Sequence, residues 1–300
     1  MAEVLGLALG GGGVRGLANL GVLEALRSAG IQPAVIAGTS MGAIVASIYA
    51  ETLDPRRTEQ RIRDYFQGED FLAQAQRFNK ASYEDERSLV ERIFDKARRG
   101  YFYYRFLMER SVITPEAFFM GLDDLLPDKR LEDLRIPVAC TVVNLESGRQ
   151  ENLSAGSLRA AVKASCAVPG VLPPVEIDGQ MYVDGGWAEV VPVSAARELG
   201  ANLVIGVNVS NPTCQISFAR DLNSAVDIMT RADDIARALL NEARTAQADY
   251  IIRPEVPCVE WWDFDKADAC VDAGFVAGEL AVEAIKRLRR SRKWWSLAWR

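Results

Sequence analysis

Short apolar runs bounded by glycine alternate along this 300-residue chain with stretches in which apolar residues recur every three or four positions. Val4 to Leu9 is the first such run and reads as a buried strand. Leu17, Leu20, Leu23 and Leu26 then mark one face of a helix that ends near Gly30. Val35 to Ala37 predicts a second strand, and a helix follows from about Gly42 to Thr52. Strand, glycine turn, helix, strand, tight turn, helix is the rhythm of parallel strands joined by crossover helices.

From Pro55 to about Lys129 that rhythm stops. The stretch is charged and aromatic (YEDERSLVERIFDKARRG, YFYYRFLMER) and predicts several helices without a strand. It reads as an insertion over about residues 55–130 that packs on one end of the sheet. Phe102, Tyr103 and Met108 within it suit a helical core better than a site. The alternation then resumes. Strands are expected at Ile136–Leu145, Met181–Val183, Leu203–Val209 and Tyr250–Arg253, with a hairpin turn at Asp178-Gly179. Helices are expected at Ser157–Cys166, Val193–Leu199, about Ala219–Thr245 and from about Asp268 onward. The fold class is therefore α/β, a mainly parallel central sheet flanked by helices. The organisation is one domain over 1–285 and a basic, Trp-rich tail over 286–300.

Composition adds constraints. Hydrophobic residues make up 49% and charged residues 25%, enough for a sizeable core. No apolar run reaches the roughly 18 residues that span a bilayer, and the opening MAEVLGLALGGGG does not read as a secretory leader. Five scattered cysteines without a C-x-x-C pair suggest small buried thiols in a reducing, cytoplasmic setting. The chain has no histidine, which removes Ser-His-Asp and Cys-His catalysis and every His-ligated metal site. The tail holds seven basic residues and no acid, leaving 28 basic against 41 acidic residues elsewhere. A body of that sign is a poor nucleic-acid partner. The tail's Trp294, Trp295 and Trp299 lie among arginine and lysine. That composition suits peripheral contact at the inner membrane surface, and it equally suits a solvated helix end.

Three segments carry chemistry. Gly38-Thr39-Ser40-Met41-Gly42 is a G-x-S-x-G between a strand and a helix, where the glycines allow a turn that presents the serine. Gly10 to Gly16 is a second strand-to-helix loop whose amides can converge on an oxyanion or phosphate. A Walker loop is excluded, since no Gly-Lys-Ser/Thr follows. A dinucleotide site needs an acid about 20 residues on, and none occurs between Ala25 and Ala50. An oxyanion loop leads, with mere close helix–strand packing as the alternative. The third segment, Asp184-Gly185-Gly186, follows an apolar strand and alone is an everyday turn.

In that order the three resemble the patatin-like phospholipase family, of the small, single-domain bacterial type. RGLANLGVLEAL, GTSMGAIVASIYA and ASCAVPGVLPPV are similar to its segments, and the likeness runs from about Val4 to Val209. The resemblance implies a three-layer α/β/α fold and a serine acyl hydrolase with no cofactor or metal. Ser40 would be the nucleophile and Asp184 its base. Backbone amides of Gly11, Gly12, Gly13 and Val14 would hold the oxyanion. Arg15 would fix that loop or a headgroup, while Gly16, Gly38, Gly42, Gly185 and Gly186 would support the turns. The implied substrates are acyl esters of (lyso)phospholipids or related lipids. Rival readings are a soluble esterase, thioesterase or transacylase using the same dyad, and a non-catalytic adaptor. Two positions depart from the family pattern: Asn19 stands where histidine is frequent, and Val190 where asparagine is common.

Overall fold

The computed structural model describes residues 3–66, 68, 121–210, 225–256, 258–259 and 263–298. Most of the expected insertion, with Phe102, Tyr103 and Met108, lies outside the described residues, as do Cys214 and the start of the helix expected from Ala219.

Eight strands form one sheet among the described residues. They are β1 (Leu5–Leu9), β2 (Val35–Gly38), β3 (Val138–Asn144), β4 (Arg149–Leu153), β5 (Val175–Ile177), β6 (Gln180–Asp184), β7 (Leu203–Val207) and β8 (Tyr250–Ile252). The order is β5-β6-β3-β2-β1-β7-β8, with β4 also paired to β3. Pairings among β1, β2, β7, β8 and the first part of β3 are parallel. Those of β3 with β4 and β6, and of β5 with β6, are antiparallel. The sheet is thus mainly parallel, as the strand–helix rhythm predicts.

Side-chain size explains how the helices sit on it. Successive residues of a strand face opposite sides. Leu5, Leu7 and Leu9 of β1 and Ile36 of β2 join the large cluster under α1 (Ala18–Ser28), α2 (Met41–Thr52), α3 (Pro55–Phe66), α4 (Leu158–Ser165) and α7 (Ala267–Ala298). Ala8, Ala37 and Ala139 face the other way, under α5 (Val193–Glu198). That second face carries small residues, so α5 lies close to the strands; a Cβ on Gly6 would sit 3.3 Å from that of Ala196. Helices therefore cover both faces. A further helix, α6, runs Ala225–Thr245.

Glycine also sets the packing of the last helix on the first. A Cβ on Gly21 of α1 would lie 2.0 Å from the Val271 carbonyl oxygen, and one on Gly274 of α7 would lie 1.9 Å from that of Ala18. The two backbones are in contact, and only residues without side chains fit at the crossing. Beyond it, Arg289 of α7 pairs with Glu3 at 2.8 Å. The helix runs without a break past residue 286 to Ala298.

Asp178-Gly179 forms the expected hairpin turn, with φ of 51° and 77°. Two consecutive positive φ values are what a two-residue turn between antiparallel strands requires. Strand β4 had no counterpart in the sequence reading, because RQENL lacks an apolar run and lies half-exposed at the sheet margin. Cys140, Cys166 and Cys270 are buried, free thiols. Cys258 is disulfide-bonded, which corrects the expectation of reduced thiols throughout. Separation along the chain carries no information on which sulfurs meet in space. Among the described residues no helix is long and apolar enough to cross a membrane.

Candidate active site

β2 ends at Gly38 and α2 begins at Met41, so the chain must reverse within two residues. Ser40 absorbs the turn at φ 54°, ψ −124°. Such a conformation costs a non-glycine residue on the order of 1–3 kcal/mol and persists only where its surroundings over-determine it. They do so here. A Cβ on Gly38 would fall 2.3 Å from the Gly42 carbonyl oxygen, and one on Gly42 would fall 2.1 Å from that of Leu9. Thr39 donates its amide to Leu9 and its hydroxyl to the Glu189 carbonyl at 3.0 Å. The Ser40 amide donates to Ser165 Oγ at 3.0 Å.

Asp184 closes β6, opposite Val142 of β3, and is almost wholly buried. Its Oδ1 accepts the Gly186 amide at 2.7 Å. Gly185 must be glycine, since a Cβ there would lie 2.3 Å from the Thr141 carbonyl oxygen. The Ser40 hydroxyl lies close enough to the Asp184 carboxylate to favour its ionised form. Burial pushes this carboxyl up to about 6, against the pull of the Gly186 amide, the Ser40 hydroxyl and the positive charge of Arg237. A buried carboxylate with that basicity, beside a hydroxyl on a strained turn, can accept the hydroxyl proton near neutral pH.

The glycine loop lies directly against the serine: a Cβ on Gly11 would stand 3.0 Å from that of Ser40. Its own amide is engaged, donating to the Val190 carbonyl at 3.1 Å, as Gly10 donates to Val207. No hydrogen bond among the described residues takes up the amides of Gly12, Gly13 or Val14. Gly12 and Gly13 have φ of 150° and 59°, and the chain then winds into a 3₁₀ turn, Gly13–Leu17, whose first amides have no partner within the turn. Asn19 braces the loop from behind. Its buried Nδ2 donates to the carbonyls of Gly10 at 2.9 Å and Gly16 at 2.7 Å. Arg15 turns back on the loop, donating to the Gly12 carbonyl at 3.4 Å. Gly16 gives Met41 its space. The segment after Asp184 works through backbone carbonyls of Glu189 and Val190, so the Val190 side chain is not what ties it to the loop.

Sequence reasoning brought Ser40, Asp184 and the glycine loop to one place, and the fold assembles them there. Three further neighbours carry no signal in the sequence. The Cys166 thiol lies near the Ser40 hydroxyl and Asp184, and burial pushes it well above its usual range. Ser165 holds the Ser40 amide. Arg237 of α6 lies 4.5 Å over the Trp187 ring, paired with Asp233 at 2.8 Å and with Asp234. Both Ser165 and Cys166 lie in ASCAVPGVLPPV.

A family model described as patatin-like phospholipase matches residues 7–197. The mouse patatin-like phospholipase domain-containing protein 6 is 28% identical over 301 residues, covering 92% of this chain and 20% of that protein. Lysophospholipase NTE1 of Saccharomyces cerevisiae is 29% identical over 310 residues, covering 94% of this chain and 17% of that protein. The chain thus spans about a fifth of the length of such relatives. Among solved structures, VipD from Legionella pneumophila superposes with a TM-score of 0.50 at 15% identity, covering 94% of this chain and 67% of that one. That likeness is one of fold.

Proposed function

The chain belongs to the patatin-like phospholipase family, and on that footing we propose that it hydrolyses acyl esters of lysophospholipids or related lipids through a Ser40–Asp184 dyad. The observation that carries this reading is a serine on a strained strand-to-helix turn beside a buried carboxylate made basic by its burial.

Ser40 Oγ attacks the ester carbonyl carbon as its proton passes to Asp184. The carbonyl oxygen becomes an oxyanion, for which the amides of Gly12, Gly13 and Val14 would be the donors. Gly11 contributes space rather than a bond, because its amide is given to Val190. Collapse of the intermediate breaks the ester C–O bond. The alcohol leaves with the proton from Asp184, and Ser40 remains acylated. Water then attacks the acyl carbon while Asp184 takes its proton. The second collapse frees the fatty acid and returns the proton to Ser40. The names of the relatives favour lysophospholipid as the first substrate to try, with a nitrophenyl ester as a monomeric control.

Ser40→Ala and Asp184→Asn should each lower kcat on both substrates by at least about 10³-fold with folding intact by circular dichroism. A fluorophosphonate should label wild type once, at Ser40. Ordinary turnover by Ser40→Ala would overturn the reading.

A further inference from the structure

We propose that Ser165 is a positioning residue that holds the nucleophile's backbone in its strained turn and in register with the base. The proposal rests on the Ser40–Asp184 reading.

Ser165 is the last residue of α4 and has no solvent exposure. A serine in that place commonly bonds back to a carbonyl one turn earlier in its own helix. This one instead reaches across to β3 and donates its hydroxyl proton to the Thr141 carbonyl at 2.8 Å. A hydroxyl has one proton to give. With it committed, the oxygen presents a lone pair to the Ser40 amide, which donates to it at 3.0 Å. The direction of both bonds is therefore fixed. Thr141 is also the residue on which Gly185 packs, and its neighbour Val142 is the strand partner of Asp184. One hydroxyl thus ties the turn carrying the nucleophile to the strand pair carrying the base.

Two consequences follow. Ser40 cannot relax toward an ordinary backbone conformation without breaking the bond to Ser165. Nor is the Ser40 amide free to bind the oxyanion, which leaves that work to other amides such as those of the glycine loop. Removing the hydroxyl should spoil the placement of Ser40 Oγ more than the binding of substrate.

The test uses the full chain carrying Ser165→Ala, with turnover expressed per serine titrated by a fluorophosphonate. Misplacement on the order of an ångström is worth about 10² in rate. We expect kcat per titrated site to fall by about that factor, with KM within about twofold and slower labelling in parallel. The acid limb of the pH profile should stay put, because the Asp184 environment is unchanged. Wild-type kcat per titrated site would overturn the proposal, since a role confined to stability lowers only the number of competent sites. If the alanine variant does not fold, Ser165→Cys is read by the same criteria; its weaker thiol bonds should give a smaller loss of kcat, and no loss would again be fatal. Full turnover by Ser40→Ala in the same series would mark a failure of the dyad itself rather than of Ser165.

Discussion

Asp184 is the residue whose chemistry is most exposed to measurement. Its carboxyl, moved from 3.8 to about 6 by burial, must be ionised to take a proton, so kcat/KM should fall about tenfold per pH unit below 6. The same shift has a thermodynamic sign. Between about pH 4 and 6 the folded chain holds a proton that the unfolded chain has released. Stability from this group is therefore greatest below pH 4 and is lost as pH rises through 6. Asp184→Asn removes the ionisation. At pH 8 it should be more stable than wild type in urea melts by up to about 3 kcal/mol, and near pH 4 the two curves should converge. An equal difference at both pH values would contradict the assignment. Ser40 and Asp184 stand out in the sequence only together, because their glycine-marked turns and the glycine loop follow in the order of the family; Asp184-Gly185-Gly186 alone is an everyday turn. Ser165, Cys166 and Arg237 do not stand out, since nothing local distinguishes a serine that caps its own helix from one that reaches another element.

At the scale of elements, the β2–α2 turn is held by absences. Gly42 packs on the β1 backbone, and the Cβ of an alanine there would lie 2.1 Å from the Leu9 carbonyl oxygen. Backbone cannot yield as a side-chain tip can, so Gly42→Ala should cost about 1–3 kcal/mol or more, read as a lower Tm together with loss of fluorophosphonate labelling. Unchanged Tm would mean that the turn opens easily. Parallel strands such as Leu5–Leu9, buried on both faces, announce themselves as apolar runs. So did the Asp178-Gly179 turn. Strand β4 is a polar segment recruited by pairing with β3, and pairing is a property of the partner as much as of the segment.

For the whole molecule, the glycine crossing of α1 and α7 anchors the C-terminal helix well before its basic, Trp-rich end, and its ion pairs Arg289–Glu3 and Arg290–Glu283 also lie before residue 291. Removing residues 291–300 should therefore leave the fold and the hydrolysis of a monomeric ester intact. If the tail engages lipid, the truncation should also weaken sedimentation with anionic vesicles. Equal sedimentation of both chains would end that role for the tail. The complete lack of histidine takes on another use at Asn19, whose side chain bridges the two ends of the glycine loop. A histidine installed there would be the only imidazole in the chain. Its ring carbon-bound protons would give isolated NMR signals that need no assignment. A neutral ring carries one N–H where the bridge calls for two donors. The chemical shift of that single residue would then record, as pH is lowered, whether closing the loop draws a proton into the site.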